Sequence, residues 1–220
     1  MRLTQRDYTV LQQLDRWRFC LSRHMIYLCG FSSQRTADRR LKILKEAGYL
    51  QRKKILYGIP YLYSLTYKGK VLIHTSVKEE KIRIEKIPHD IAVLDTVIYF
   101  MLKHGVKQED ILTEKELHRL DGFSTRKHQP DFVIQNQNKK TCIEVELTLK
   151  AKTRLEKNIQ ENFFNYDYQK WIVPNTQIRI KNILQENNLI YPLEIMNLEE
   201  VVNYVRKHSK SDLSNTKKLF

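Results

Sequence analysis

The sequence predicts an α+β protein with two domains. Three helix-like segments are followed by two strand-like segments in the N-terminal part, and the positive charge of the chain is concentrated in the same part. Beyond Pro88, strand-like and helix-like segments alternate, which is typical of a mixed sheet covered by helices. The 220 residues are enough for two cores. We place a first domain at residues 1–77, a charged connector at 78–88, a second domain at 89–208 and a polar tail at 209–220.

The first two helices are predicted from their ends. Thr4 is a good N-cap, and Asp7 three residues later completes a capping box, which predicts a helix to about Trp17. Ser22 begins a second short helix, which stops at Gly30.

A third helix and a hairpin follow. Ser32 or Ser33 begins the helix and Gly48 closes it, while an apolar stripe marks its buried face: Ala37, Leu41, Leu44 and Ala47. Strand-like residues at 49–57 and 61–65 then flank a turn, and Thr66 caps another helix. Three helices followed by a β-hairpin is the order of a winged helix-turn-helix.

The charge distribution predicts double-stranded DNA as the partner. Residues 1–88 hold 19 Lys and Arg against 7 Asp and Glu, whereas the other 132 residues hold 20 against 18. Neutralisation of phosphates supplies much of the affinity for DNA, and the third helix of a winged helix enters the major groove. Arg40, at the edge of the apolar stripe, is expected to pair with acids instead. The predicted DNA contacts are Arg35, Thr36, Arg39 and Lys42 on the helix, and Arg52, Lys53 and Lys54 on the hairpin.

The second domain is predicted from alternating periodicities. Its helices are expected at residues 90–103, 151–164, 176–186 and 198–207. Its strands are expected at 111–120, in a hairpin around a turn at 135–140, and at 170–174 and 191–196.

That hairpin carries the most informative chemistry in the chain. Glu144 and Glu146 alternate with aliphatic residues and therefore share one face of the second strand. With a turn near Gln137, antiparallel pairing places Asp131 opposite the stretch from Glu144 to Glu146. Such like charges repel, which favours a Mg²⁺ or Mn²⁺ site. The alternative is an ordinary antiparallel sheet with one solvated face.

Pro130-Asp131 and Glu-x-Glu on adjacent strands resemble the PD-(D/E)xK nuclease superfamily. The resemblance implies that Asp131 and Glu144 are metal ligands in a catalytic site, with Glu114 as a further ligand. Glu146 stands where the superfamily has a lysine that helps to activate water, so the chain departs from the pattern there. Lys150 has the same strand parity and could reach the site instead.

A narrower resemblance covers roughly residues 1–175. The stretches that carry it are Leu-Thr-Gln-Arg-Asp at the start, residues 39–50, residues 63–69, Pro130-Asp131 and Glu-Val-Glu-Leu-Thr-Leu-Lys at 144–150. They resemble the replication-relaxation proteins of plasmids and integrative elements. The implied role is in replication, DNA relaxation or transfer, with replication or conjugation proteins of the element as partners. The second domain would be either a Mg²⁺-dependent endonuclease or nickase, or the core of a non-catalytic regulator or relaxosome accessory factor.

Other sequence features predict the cellular location and the oligomeric state. No apolar run reaches membrane-spanning length and the N-terminus lacks a signal-peptide core, so we expect a cytoplasmic protein with no membrane partner. Single winged helices commonly act as dimers, which makes a homodimer an expectation. An aromatic run could pack in the core or stack on unpaired bases. It consists of Phe163, Phe164, Tyr166, Tyr168 and Trp171.

Overall fold

The computed structural model describes residues 2–55, 57–77, 82–122, 128–149 and 151–215, with side chains up to residue 208. The fold is α+β, with two separate sheets. The chain divides into two compact units, unit 1 (Met1–Ile98 with Val205–Phe220) and unit 2 (Tyr99–Tyr204). The division falls inside a helix, α5 (Ile87–His104), rather than in the predicted connector at 78–88.

Unit 1 contains the predicted three helices and hairpin. Its sheet is antiparallel with strand order β1-β3-β2. The elements are α1 (Gln5–Trp17), β1 (Cys20–Leu21), α2 (Ser22–Leu28), α3 (Gln34–Glu46), β2 (Leu50–Lys53), β3 (Leu62–Leu65) and α4 (Tyr67–Leu72). The sequence did not predict β1, because two residues are too short for a periodic pattern.

The ends of these helices form as the sequence predicted. Ser33 caps α3 by accepting the amide of Thr36, and Thr66 caps α4 by accepting the amide of Gly69. Gly69 also permits a close approach, since a Cβ at this position would collide with the carbonyl oxygen of Tyr49. Most of the predicted inward residues are buried, including Leu11, Leu14, Met25, Ala37, Leu41 and Leu44, whereas Ala47 is half-buried.

Unit 2 is built on a five-stranded mixed sheet of order β4-β5-β6-β7-β8. The first three strands pair antiparallel and the last three parallel, with helices in the two parallel crossovers. Its elements are β4 (Ile111–Thr113), α6 (Glu114–Asp121), β5 (Phe132–Asn136), β6 (Lys139–Val145), α7 (Lys152–Asn165), β7 (Tyr168–Val173), α8 (Ile178–Asn188) and β8 (Glu194–Asn197). The last helix, α9 (Leu198–Asn215), begins in unit 2 and passes into unit 1 at Val205.

The predicted strand at 111–120 is wrong beyond its third residue. Thr113 accepts the amide of Glu116, and the Glu116 carboxylate accepts the Thr113 amide at 2.8 Å, so a capping box starts α6. Thr-Glu-Lys-Glu is a capping-box sequence, and it starts a helix within the predicted strand. Glu114 consequently lies in the first turn of a helix and not on a strand.

The register of β5 and β6 follows the predicted hairpin. Phe132 pairs with Ile143 and Asn136 with Lys139. This register extends to Asp131 opposite Glu144, just beyond the end of β5. In the part of the chain that the structure describes, no helix is long and apolar enough to cross a membrane.

Candidate nucleic-acid interface and carboxylate cluster

A cationic groove runs between α3 and the hairpin of unit 1. Its volume is about 730 Å³, and its lining includes Arg35, Arg39 and Lys42 from α3 and Arg52 from β2. These four side chains are exposed, and Asp38 is the acid that shares the lining with them. The helix and the hairpin thus present cations to one groove, as a phosphate-binding surface requires.

The remaining predicted DNA contacts take other positions. Lys53 follows Arg52 on the strand and lines a different cavity, because successive strand side chains point to opposite faces. Lys54 Nζ donates to the carbonyl of Ile59 at 2.6 Å, within the hairpin. The Thr36 hydroxyl donates to the Ser33 carbonyl at 2.7 Å, so it serves the start of α3.

Arg52 is held in place by an aromatic ring. Its guanidinium carbon lies 4.1 Å from the ring centre of Tyr61, which also lines the groove. Stacking of this kind limits the rotamers of the arginine while leaving its N–H groups available. The hairpin therefore offers a preorganised cation beside the helix.

Arg40 has a structural role, as the sequence predicted. Its Nε donates to the Asp7 carboxylate at 2.6 Å, and Asp7 is fully buried. Burial would raise the pKa of Asp7, but the hydrogen bonds from Arg40 and Thr4 outweigh it and hold that pKa below its ordinary value. This ion pair ties α3 to the first turn of α1.

A second buried network anchors α2, the helix before α3. His24 Nδ1 accepts the Leu21 amide at 3.2 Å, which assigns the ring proton to Nε2, 3.2 Å from Asp95 Oδ1. Arg23 also donates to both oxygens of Asp95. Complete burial lowers the pKa of His24 in spite of the carboxylate. A neutral histidine thus completes the network.

The carboxylates of unit 2 meet where β5 and β6 are paired. Asp131 Oδ2 accepts the backbone amide of Val145 at 2.7 Å, and Glu144 lies on the neighbouring strand with only 7% of its surface exposed. Cys142 and Val145 are also buried, so both faces of this part of β6 are covered. A solvated sheet face therefore does not explain Glu144.

Two side chains that the sequence analysis missed engage Glu144. His128 Nε2 lies 2.5 Å from Glu144 Oε1, and the Asn162 amide of α7 donates to the same oxygen at 2.9 Å. Asn162 occupies the inward stripe of α7 with Leu155 and Ile159. A polar residue on an apolar stripe was the available signal, and His128 stands only three residues before Asp131.

Burial and pairing set the protonation of this cluster. Burial raises the pKa of Glu144, and the hydrogen bonds from His128 and Asn162 oppose that rise. Burial alone would lower the pKa of His128, but its hydrogen bond to Glu144 and the charges of Glu144, Asp131 and Glu161 raise it. Burial is the largest influence on the carboxyl and pairing outweighs burial at the imidazole, so the pKa values of both groups lie above their ordinary values.

The other predicted site residues contribute less to the cluster. Glu146 follows the last residue of β6 and is half-buried, and its amide donates to the Ile172 carbonyl at 3.0 Å. Glu114 approaches Asp131 through its backbone, with its amide donating to the Asp131 carbonyl at 3.1 Å. Lys150 lies outside the described residues.

Asp131 and Glu144 are the residues that would hold a magnesium or manganese ion, but their arrangement does not fit one. Glu144 Oε1 already has two partners, and the neighbouring cationic position belongs to His128. Among the residues that the structure describes, no three His, Cys, Asp or Glu side chains converge as a metal site. A cation on Glu144 Oε1 would compete with His128 and Asn162 for that oxygen.

Comparison with protein-family models, with curated proteins and with solved structures found no match for this chain. The resemblance to the replication-relaxation proteins therefore stays a prediction, and functional inference rests on the geometry of the two sites.

Proposed function

We propose that this chain is a double-stranded-DNA-binding protein that acts through a winged helix-turn-helix in unit 1. The observation that carries the proposal is the shared groove in which Arg35, Arg39 and Lys42 of α3 face Arg52 of the hairpin. In this arrangement α3 enters the major groove and the hairpin contacts the flanking backbone. Arginine is the residue best suited to both phosphate and guanine contacts.

The biological setting follows from the resemblance to replication-relaxation proteins. We propose a role in the replication, relaxation or transfer of a plasmid or integrative element. Unit 2, whose Pro-Asp and Glu-x-Glu motifs resemble the PD-(D/E)xK pattern, would act there without catalysis, as part of a regulator or relaxosome accessory factor. The His128–Glu144 pair supports this reading, because a histidine compensates the buried carboxylate.

Metal-dependent cleavage of DNA is the competing candidate. It is supported by Asp131 standing opposite Glu144 at the end of paired strands, as in the PD-(D/E)xK pattern. Against it stand Glu146 in the lysine position and the engaged Glu144.

DNA binding is tested with a labelled duplex and two matched variants of α3. Arg35→Ala/Arg39→Ala should weaken binding at least about tenfold, since each phosphate or base contact contributes about 1 kcal/mol or more. Lys45→Ala is the control, because Lys45 is an exposed cation on the same helix outside the groove lining. Equal affinities of the double variant and the wild type would refute the proposed interface.

Cleavage is tested on supercoiled plasmid with Mg²⁺, Mn²⁺ or EDTA. The proposal predicts that the wild type and Asp131→Ala both shift the plasmid on a gel and leave it intact. Nicking or linearisation that requires the metal and disappears in Asp131→Ala would instead assign unit 2 as a nuclease.

A further inference from the structure

Unit 2 carries an exposed apolar patch formed by the end of α7 and the segment after α8. The rings of Phe163 and Phe164 lie 5.4 Å and 6.3 Å from the ring of Tyr191, and Leu189 and Ile190 directly precede that tyrosine. Phe164 is 69% exposed, Leu189 89% and Ile190 68%. We call these five residues the aromatic patch. Trp171 of the predicted aromatic run is fully buried, so only part of that run packs in the core.

The chemistry around the aromatic patch favours protein over nucleic acid. The two segments that form it, residues 160–165 and 186–191, contain no Lys or Arg. Their acids are already paired, Glu161 with Lys157 and Glu186 with Lys152, each at 3.6 Å. Binding of single strands combines stacking with a cationic track for the phosphates. The patch offers rings within a neutral, amide-rich border, which is the composition of a protein interface core.

We infer that the aromatic patch binds the same patch on a second copy of this chain. The exposed parts of its side chains amount to roughly 500 Å². Burying that area on both copies removes roughly 1,000 Å² from water, the lower limit for a specific interface before its border is counted. A two-fold axis makes one self-complementary patch sufficient. Glu161 and Glu186 at the border are paired with Lys157 and Lys152, so the border itself adds little repulsion to that of the chain's net charge of +14.

The biological role of this dimer rests on the proposed function, because the dimer would serve DNA binding by unit 1. A dimer through unit 2 would present two α3 helices to two half-sites, which is how a single winged helix gains affinity and selects palindromic sequences. The self-association itself is a property of unit 2 and is measured without DNA.

The experiment is sedimentation equilibrium of the full chain in the absence of DNA. The wild type should have twice the 26.5 kDa chain mass at micromolar concentration. Phe164→Asp/Leu189→Asp should sediment as the monomer, because buried like charges oppose association. Leu120→Asp is the matched control, since Leu120 is 72% exposed in unit 2 and outside the patch. Circular dichroism verifies that each variant is folded.

A monomeric wild type, or a patch variant that stays dimeric, would overturn the inference. If that monomer binds single-stranded oligothymidylate and the patch variant does not, the aromatic patch is a nucleic-acid site instead. Affinity for duplex DNA separates the two proposals. If the wild type is a dimer that does not bind duplex DNA, the inferred interface stands and the proposed function is refuted. If it is a monomer that binds duplex DNA, the proposed function stands and the inferred interface is refuted.

Discussion

The two units treat charged side chains in opposite ways. In unit 1, four cations of α3 and β2 are exposed along one groove, with Asp38 as the acid beside them. In unit 2, the carboxylate of Glu144 is buried and bonded to His128 and Asn162. Exposed cations on a shared groove remain available to a ligand, whereas a buried, compensated carboxylate belongs to the protein's own structure. This difference supports our proposal that DNA binding occurs in unit 1.

The two histidines that pair with carboxylates sharpen the contrast. Each faces a carboxylate, His24 at Asp95 and His128 at Glu144, yet their pKa values move in opposite directions. His24 is completely buried beside Arg23, so desolvation dominates. His128 has three acids around it, so pairing dominates. The same pair of residue types thus serves as a neutral hydrogen-bond network in unit 1 and as an ion pair in unit 2.

Replacement of Arg40, and not of its neighbour Arg39, should cause the largest loss of folding stability. Arg40→Ala removes the partner of the fully buried Asp7 and should lower the free energy of unfolding of unit 1 by about 3–5 kcal/mol. Arg39→Ala, one residue away and exposed, should change it by less than about 0.5 kcal/mol. Urea unfolding in a Trp171→Phe background measures this, because Trp17 then reports on unit 1 alone. Equal stabilities of the two variants would contradict the distinction.

The ion pair of unit 2 can be broken and then replaced. His128→Ala leaves Glu144 buried without its counter-ion, and we expect a loss of about 3 kcal/mol. His128→Leu/Glu144→Leu should recover most of that loss, because a buried pair can be exchanged for apolar residues. Urea unfolding in a Trp17→Phe background isolates the fluorescence of the buried Trp171. Failure of the double variant to recover, with Mn²⁺ stabilising the wild type, would argue for a metal site.

His24 of unit 1 and His128 of unit 2 should contribute to the pH dependence of stability with opposite signs, whereas His104 of unit 2, whose pKa burial lowers, contributes with the sign of His24. The folded pKa of His24 lies below its ordinary value of 6.5, so unit 1 loses stability as the pH falls below 6.5. The folded pKa of His128 lies above 6.5, so its contribution is complete below 6.5 and is lost as the pH rises through the folded pKa. Each slope is limited to about 1.4 kcal/mol per pH unit for one proton. The contribution of each histidine is the difference in slope between the wild type and the variant that replaces that histidine with leucine. The two tryptophan reporters measure these slopes, and contributions of equal sign would contradict this assignment.

Much of the fold was readable from local signals. Caps at Thr4, Ser33 and Thr66 start helices where predicted, and the turn near Gln137 sets the register that places Asp131 opposite Glu144. These features depend on residues close in sequence. The predicted strand at 111–120 failed because the capping box at Thr113 starts a helix within the same residues.

The composition of the two sites was less predictable, because it depends on which side chains meet across elements. Arg52 and Lys53 are adjacent cations that the sequence does not distinguish. They line different cavities because successive side chains of a strand point to opposite faces, and only Arg52 lines the α3 groove. His128 and Asn162 reach Glu144 from positions 16 residues before and 18 residues after it. No spacing rule links residues that far apart, so the compensation of Glu144 could not be read from the pattern.

The central claim is that α3 and the hairpin bind DNA phosphates in one groove, and the salt dependence of duplex binding tests it most directly. The slope of log affinity against log salt concentration becomes shallower by about 0.9 for each phosphate that the protein no longer neutralises. Arg39→Ala and Arg52→Ala should each flatten the slope by about one unit and their combination by about two, while Lys45→Ala leaves it unchanged. A combined variant with the wild-type slope would place the DNA interface elsewhere on the protein.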